Sequence, residues 1–234
     1  MKKILLLSTI IFLFHGAFSQ VIYEKLYQDK KGHAGYDIKP TADNGYIITG
    51  FCNPTSSVLG HDVLLLKIDS LGNSQWASNL GGVYSDWGNA VVQTYDEGYV
   101  ACGYTSVMQN AENVYIVKTD ENGNFLWERN WGSTEGDVAY DLVETPSDSG
   151  LAVVGIRENN PWLIRTDRFG DTLWTKTYAD SGAFYSIIST LDGGFLMAGV
   201  TGGYLGTRGF VMKTDASGNQ EWIRYVQGGG GTSV

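Results

Sequence analysis

Histidine, cysteine and clustered basic residues are all scarce in this chain, and each shortage removes a class of chemistry. Of 234 residues, three are histidine (His15, His33, His61) and two are cysteine (Cys52, Cys102). A structural or catalytic metal wants three or four convergent ligands, and the sequence points to none. No Gly-x-Ser-x-Gly, His-Glu-x-x-His or phosphate-cradling glycine loop occurs. The hydrolase, metalloprotease and nucleotide routes carried by those motifs are absent, and no cofactor is implied. Lysine and arginine total 16 against 25 aspartate and glutamate, a formal charge of −9 without a basic run. Bulk electrostatic attraction to nucleic acid or to anionic membranes is therefore excluded. The apolar stretch at residues 4–14 falls short of the ~20 residues that a spanning helix needs.

That stretch fits a secretory leader instead. Lys2 and Lys3 precede it, and Ala17-Phe18-Ser19 offers a small-residue cleavage site before Gln20. The sequence predicts removal of residues 1–19 and export of the rest, secreted or at the outer cell surface, with the periplasm also open. No integral membrane span would remain after cleavage. No cysteine lies near the cleavage site, which argues against a lipoprotein. Loss of Lys2 and Lys3 takes the charge to −11. Export makes a disulfide chemically possible. Cys102 precedes Gly103 by one residue, however, while Cys52 follows Gly50 by two. The two are not repeat equivalents, so they read as small buried thiols, with a disulfide between them left open.

What the chain has in quantity is repetition. An Asp-x-x-Gly-Asn/Asp-x-x-Trp motif occurs four times. It reads Asp69, Gly72, Trp76; Asp120, Gly123, Trp127; Asp167, Gly170, Trp174; and Asp215, Gly218, Trp222. The tryptophans are 51, 47 and 48 residues apart, a period of the propeller type. With 31 glycines, 14 tyrosines, 9 phenylalanines and 7 tryptophans, the composition is all-β. Each unit holds four short strand patterns, here called a, b, c and d. In the second unit they cover residues 90–94, 99–103, 114–119 and 125–130. Asp-Gly-type turns join a to b, and the Asp-x-x-Gly-Asn turn joins c to d. There Asp bonds its own turn and Gly supplies positive φ. The alternative, calcium, needs 6–8 oxygen ligands, which one Asp per turn does not supply. One tryptophan at a fixed place in every outer strand reads as blade-to-blade packing.

Four strands per unit predict a β-propeller of four-stranded antiparallel blades. The domain spans 20–234, with repeats at about 24–76, 77–127, 128–174 and 175–222 and a fifth starting at 223. A d-type strand at 21–28 precedes four complete a–b–c sets, and residues 228–233 repeat the loop that leads elsewhere into strand a. By repeat phase this predicts part of a larger propeller, since four-bladed closure would leave one d strand surplus.

The passage from residue 63 to Asp69 and on to Trp76 resembles kelch blades and quinoprotein-type blades. Kelch's double glycine after strand b is a single glycine here (Gly50, Gly103, Gly155, Gly199). A further likeness is to exported bacterial repeat proteins. Trp76, Gly81-Gly82, Asp86, Thr94, Asp96, Gly98-Tyr99, Gly103, Lys118, Asp120, Gly123-Asn124 and Trp127 carry it. In that group the array often precedes a C-terminal type IX secretion sorting domain, and some members are described as lectin-like. The resemblance implies a fold and a compartment, and no chemistry.

Function is sought where the repeats differ. The b–c and d–a connections vary in length and emerge on one face, the usual place for binding on a rigid scaffold. Tyr84, Asp86, Trp87, Tyr104, Trp131, Asp137 and Tyr204 are the candidate residues of that face. His33, Asp86, Asp137 and Gly182 share one repeat column. A metal or acid/base site there competes with a simpler role, in which Asp caps the loop entry. Three functions follow from this reading. The first is a non-catalytic binding module for glycan or protein. The second is a structural spacer of a cell-surface protein. The third is a polysaccharide hydrolase or lyase using the axial carboxylates, for which no catalytic residue is named.

Overall fold

A computed structural model describes residues 32–53, 60–107, 111–178, 181–202 and 208–226. The expected leader, the strand at 21–28, Tyr204 and the glycine run from 228 lie outside the described residues. The fold is all-β, with sixteen strands in four antiparallel four-stranded sheets. The first is β1 (His33–Pro40), β2 (Tyr46–Cys52), β3 (Asp62–Ile68) and β4 (Ser74–Leu80). The second is β5 (Ser85–Gln93), β6 (Tyr99–Val107), β7 (Ala111–Thr119) and β8 (Phe125–Trp131). The third is β9 (Asp137–Glu144), β10 (Leu151–Arg157), β11 (Asn160–Thr166) and β12 (Thr172–Thr177). The fourth is β13 (Gly182–Ser189), β14 (Phe195–Thr201), β15 (Arg208–Thr214) and β16 (Gln220–Tyr225). Each sheet is a meander in chain order, so each is one propeller-like blade of strands a, b, c and d. No helix among the described residues is long and apolar enough to cross a membrane.

The first strand of each blade packs across the preceding blade, β5 on β1–β3, β9 on β5–β7 and β13 on β9–β11. The a strands are thus innermost and the d strands outermost. Among the described residues, no strand of the fourth blade packs across the first in this way.

The apolar core is divided among the three seams. Ile47, Val63 and Leu65 of the first blade meet Val91, Ala101 and Val117 of the second. Val100, Cys102 and Ile116 meet Leu142, Val153 and Ile164 at the next seam. Val154 and Leu163 meet Phe184, Met197 and Phe210 at the last. Each inner blade is therefore apolar on both faces. Neither cysteine is in a disulfide; both are buried, and Cys52 Sγ donates to Asp62 O at 3.6 Å.

The repeat residues have specific duties at these seams. A Cβ on Gly123 would sit 2.7 Å from the Trp76 ring, and Gly170 and Gly218 meet Trp127 and Trp174 in the same way. Each indole thus lies over the c–d turn of the following blade. Burying about half of such a ring contributes roughly 2–3 kcal/mol. Asp120 Oδ1 accepts from Asn122 N and Asn124 N at 2.9 and 2.8 Å, and Oδ2 accepts from Asn124 Nδ2. Asp69, Asp167 and Asp215 likewise accept backbone N–H bonds within their own turns. The glycine after strand b answers to close approach: a Cβ on Gly103 would fall 1.8 Å from Trp87 O.

At the a–b turns a buried cation from strand c reaches the turn carboxylate. Lys67 Nζ holds Asp43 at 2.8 Å, Lys118 holds Asp96 at 2.6 Å, Arg165 holds Asp148 at 2.6 Å and Lys213 holds Asp192 at 2.8 Å. Every cation is under 10% exposed and every carboxylate about half exposed. The Lys67 ammonium, then the Thr41 hydroxyl, hold Asp43 down at about 2. Lys213 holds Asp192 lower still.

The inner strands are longer than the sequence reading of strand a. β5 begins at Ser85, five residues ahead of the expected start at 90. All four inner strands carry a bulge, at Tyr36, Asn89, Tyr140 and Tyr185. The bulge bends the strand and lets it continue toward the loop end. Asp37 Oδ2, one residue beyond the first bulge, accepts from Val91 N of the next blade at 3.0 Å. Asp141 Oδ2 accepts from Ile187 N at 2.9 Å, and Asn89 Nδ2 donates to Ala139 O at 2.8 Å. Each seam is hydrogen-bonded at the level of its bulge.

Candidate binding face

The meander sends the b–c and d–a connections to one end of the blades and the a–b and c–d turns to the other. On the loop end, Trp87 of β5 and Tyr104 of β6 are direct cross-strand partners. Their rings stack with centroids 4.7 Å apart and planes 13° off parallel. Trp87 meets His61 edge-on at 5.1 Å. His61 lies 4.7 Å from Phe51, and Phe51 lies 5.9 Å from Tyr36. Five rings thus form one run across the seam of the first two blades. Tyr36 is 54% exposed and the other four are half-buried.

Backbone bonds hold this run in place. His61 O accepts from Asp86 N at 2.7 Å, and His61 N donates to Ser85 Oγ at 3.2 Å. Its Nδ1 shares a hydrogen bond with Asn53 Oδ1. Burial, then the charge of Glu112, push the Tyr104 hydroxyl up to about 12, with Tyr36 and Tyr140 adding to it. The phenol stays protonated near neutral pH. Tyr140 and Tyr185 make a second ring pair at 4.8 Å on the last seam. Burial, then Tyr185 and Glu112, raise Tyr140 as well.

The two aspartates of the predicted set do different work. Asp86 is 2% exposed and its Oδ2 accepts from Gly82 N at 3.0 Å. Burial raises its carboxyl, and the Thr105 hydroxyl and Gly82 N–H pull it back. Asp137 is fully buried. Its Oδ2 accepts from Ser133 N and its Oδ1 from Glu158 N at 3.2 Å. Both carboxylates are turned to loop N–H groups, Gly82 and Ser133 in the d–a connections and Glu158 in the b–c connection. Among the described residues, no three His, Cys, Asp or Glu side chains are arranged to hold a metal ion.

The remaining candidates are dispersed. Tyr84 is 38% exposed in the β4–β5 loop. Trp131 ends β8 on the outer side, where its Nε1 donates to Thr172 Oγ1 of the next blade at 2.8 Å. Tyr204 lies outside the described residues. The structure therefore brings together Trp87 and Tyr104, and it adds Tyr36, Phe51 and His61, which sequence reasoning missed. Phe51 was findable, since it follows Gly50 as Tyr104 follows Gly103. So was the bulge column, which is tyrosine in three of four repeats.

No protein-family model and no curated protein matches the chain. Solved structures that match it include the crystal structure of a protein of unknown function from Bacteroides caccae. The TM-score is 0.37 and the identity 9%, over 86% of this chain and 84% of that one.

Proposed function

We propose that the chain is an exported, non-catalytic binding module that holds a glycan or a protein through its loop face. The observation that carries this reading is the run Tyr36, Phe51, His61, Trp87 and Tyr104. Flat rings beside a protonated phenol suit sugar C–H faces or the side chains of a protein partner. The commitment of Asp86 and Asp137 to loop N–H groups supports the non-catalytic reading. The leader at 1–19 and the likeness to exported kelch-like repeat proteins support a secreted or cell-surface location. Their type IX sorting domain belongs to the same proposal.

The test is binding of the mature chain, from Gln20, to a glycan array and to surface extracts. Replacing Trp87 or Tyr104 with alanine is expected to weaken binding about tenfold or more, since each ring contributes at least roughly 1.4 kcal/mol to contact. Both variants should keep the wild-type circular dichroism spectrum. Full binding by both variants refutes the assignment of this face. A spacer would show no ligand in either screen.

A further inference from the structure

The opposite end of the blades, where the short turns lie, carries two clefts at corresponding repeat positions. One, of about 560 Å3, lies between the first and second blades and is bordered by Asp43, Lys67, Gln75, Trp76, Glu121 and Asn122. The other, of about 630 Å3, lies between the second and third and is bordered by Tyr95, Asp96, Lys118, Trp127, Arg168 and Phe169. Both volumes fall in the ~300–1,000 Å3 range of small-molecule sites. Each cleft has the same three parts. A carboxylate–cation pair comes from the a–b turn and strand c. A tryptophan comes from strand d. The third part is the c–d turn of the following blade.

The chemistry of these parts selects a ligand class. Lys67 Nζ is saturated by Asp43, Gln75 Oε1 and Ile68 O, so an anionic ligand finds no unpaired lysine there. Asp43 remains 51% exposed and keeps acceptor capacity for hydroxyl donors. Gln75 accepts through Oε1, which leaves its amide N–H groups to donate. Asp43, Glu97 and Glu121 outweigh Lys67 in the first cleft, and Asp96 and Glu144 offset Lys118 and Arg168 in the second, so neither favours an anion. Carboxylate acceptors, an amide donor and an indole together fit an uncharged ring with polar edges and an apolar face. We infer that these two inter-blade clefts are repeat-equivalent sites for neutral saccharides, with the pyranose C–H face on Trp76 or Trp127 and its hydroxyls on Asp43 or Asp96. This goes beyond the loop-face reading and stands on different residues.

The borders differ in a way that predicts selectivity. Glu121 and Asn122 give the first cleft a polar rim. In the second, Arg168 lies over Phe169 at 4.6 Å, and Tyr95 is 70% exposed, so that rim is aromatic. The first should prefer single polar sugars and the second longer or less polar glycosides.

The experiment follows the indole N–H signals of the mature chain, assigned by single Trp→Phe variants, in heteronuclear spectra. The probes are methyl glycosides of glucose, galactose, mannose, fucose and N-acetylglucosamine and their disaccharides, added to millimolar concentration. Shifts of Trp76 and Trp127 with Trp87 unmoved are expected. Gln75→Ala with Glu121→Ala should weaken the Trp76 response about tenfold and spare Trp127. Tyr95→Ala with Arg168→Ala should do the reverse. All four side chains are exposed, and wild-type circular dichroism and melting of each double variant check that it folds. No movement of Trp76 or Trp127 with any probe overturns the inference. Movement of Trp87 alone also overturns it while leaving the loop-face reading intact.

Discussion

Removing Asp96 should cost more stability than removing its buried partner Lys118. Lys118 is 4% exposed and Asp96 65%, with Nζ and Oδ1 2.6 Å apart. Breaking a fully buried pair by deleting one partner costs ~3–5 kcal/mol, because the other charge is stranded. Here the carboxylate is largely in water and Lys118 keeps the Thr94 hydroxyl, so screening removes more than half of that, leaving about 1–2 kcal/mol. Asp96 Oδ1 also accepts from Thr94 Oγ1 at 2.6 Å and Gly98 N at 3.2 Å, which adds roughly 0.5–1 kcal/mol. Asp96→Ala is thus expected to lose about 2 kcal/mol. Lys118→Met leaves Asp96 solvated with its turn bonds intact and keeps an unbranched apolar stem in the seam, so it should lose less than about 1 kcal/mol. The double variant should recover about 1 kcal/mol relative to additivity. Urea unfolding followed by tryptophan fluorescence reads all three against wild type. A Lys118→Met loss equal to or above that of Asp96→Ala, or strict additivity, refutes the reasoning.

Gly170→Ala should lose about 2–4 kcal/mol, because φ is +79° and the new methyl would lie 2.7 Å from the Trp127 ring. Gly136→Ala, at φ +85° with nothing within 4 Å, should lose only about 1 kcal/mol; equal losses in thermal melts would show that the indole does not rest on the turn. Acid should unfold the wild type between about pH 4 and pH 2. A carboxylate held below its unfolded value near 3.9 adds stability that is complete above that value and disappears as pH falls through the folded one, about 2 for Asp43. Lys67→Met should flatten that part of the acid titration; burial pushes Asp86 and Asp141 the other way, and the comparison cancels them. Asp37→Ala should lose about 1–2 kcal/mol by stranding Val91 N–H, and hydrogen exchange at Val91 should speed up, whereas unchanged protection there would refute the seam bond.

Much of the fold was legible because turn chemistry leaves local marks. An Asp that bonds its own turn and a Gly at positive φ are needed whatever the neighbours are, so Asp120 and Gly123 announce their turn from sequence alone. The first half of the inner strands was not legible. Ser85-Asp86-Trp87-Gly88-Asn89 holds residues depleted in strands, and it pairs only because β6 runs on to Val107 and the bulge at Asn89 resets the register. The candidate site divides in the same way. Trp87 and Tyr104 were legible as loop-face aromatics, but their stacking depends on cross-strand register. The cap role of Asp86 and Asp137 depends on where the loops fold back. The Lys and Arg column of strand c escaped as a cation site because its partner lies in the a–b turn, 17 to 24 residues away in sequence.

The repeat itself indicates where function does not lie. A position filled alike in all four blades is explained once it is seen to hold a turn, as Gly170 and Asp120 are. Trp87 belongs to a column that otherwise holds Ala34, Val138 and Ala183, and Tyr104 to one that otherwise holds Phe51, Ile156 and Val200. The third and fourth blades fold without a ring in either column, so the scaffold does not require them. The aromatic run therefore belongs to one seam, and binding there should tolerate changes at the equivalent positions of the third and fourth blades. At the turn end the logic inverts: the carboxylate–cation pair and the indole are common to the clefts, while the rim residues Glu121-Asn122 and Arg168-Phe169 differ. Exchanging these two dipeptides between the c–d turns should exchange the saccharide preference of the clefts and leave the melting temperature within a few degrees. A swap that changes stability but not preference would return both rims to the scaffold.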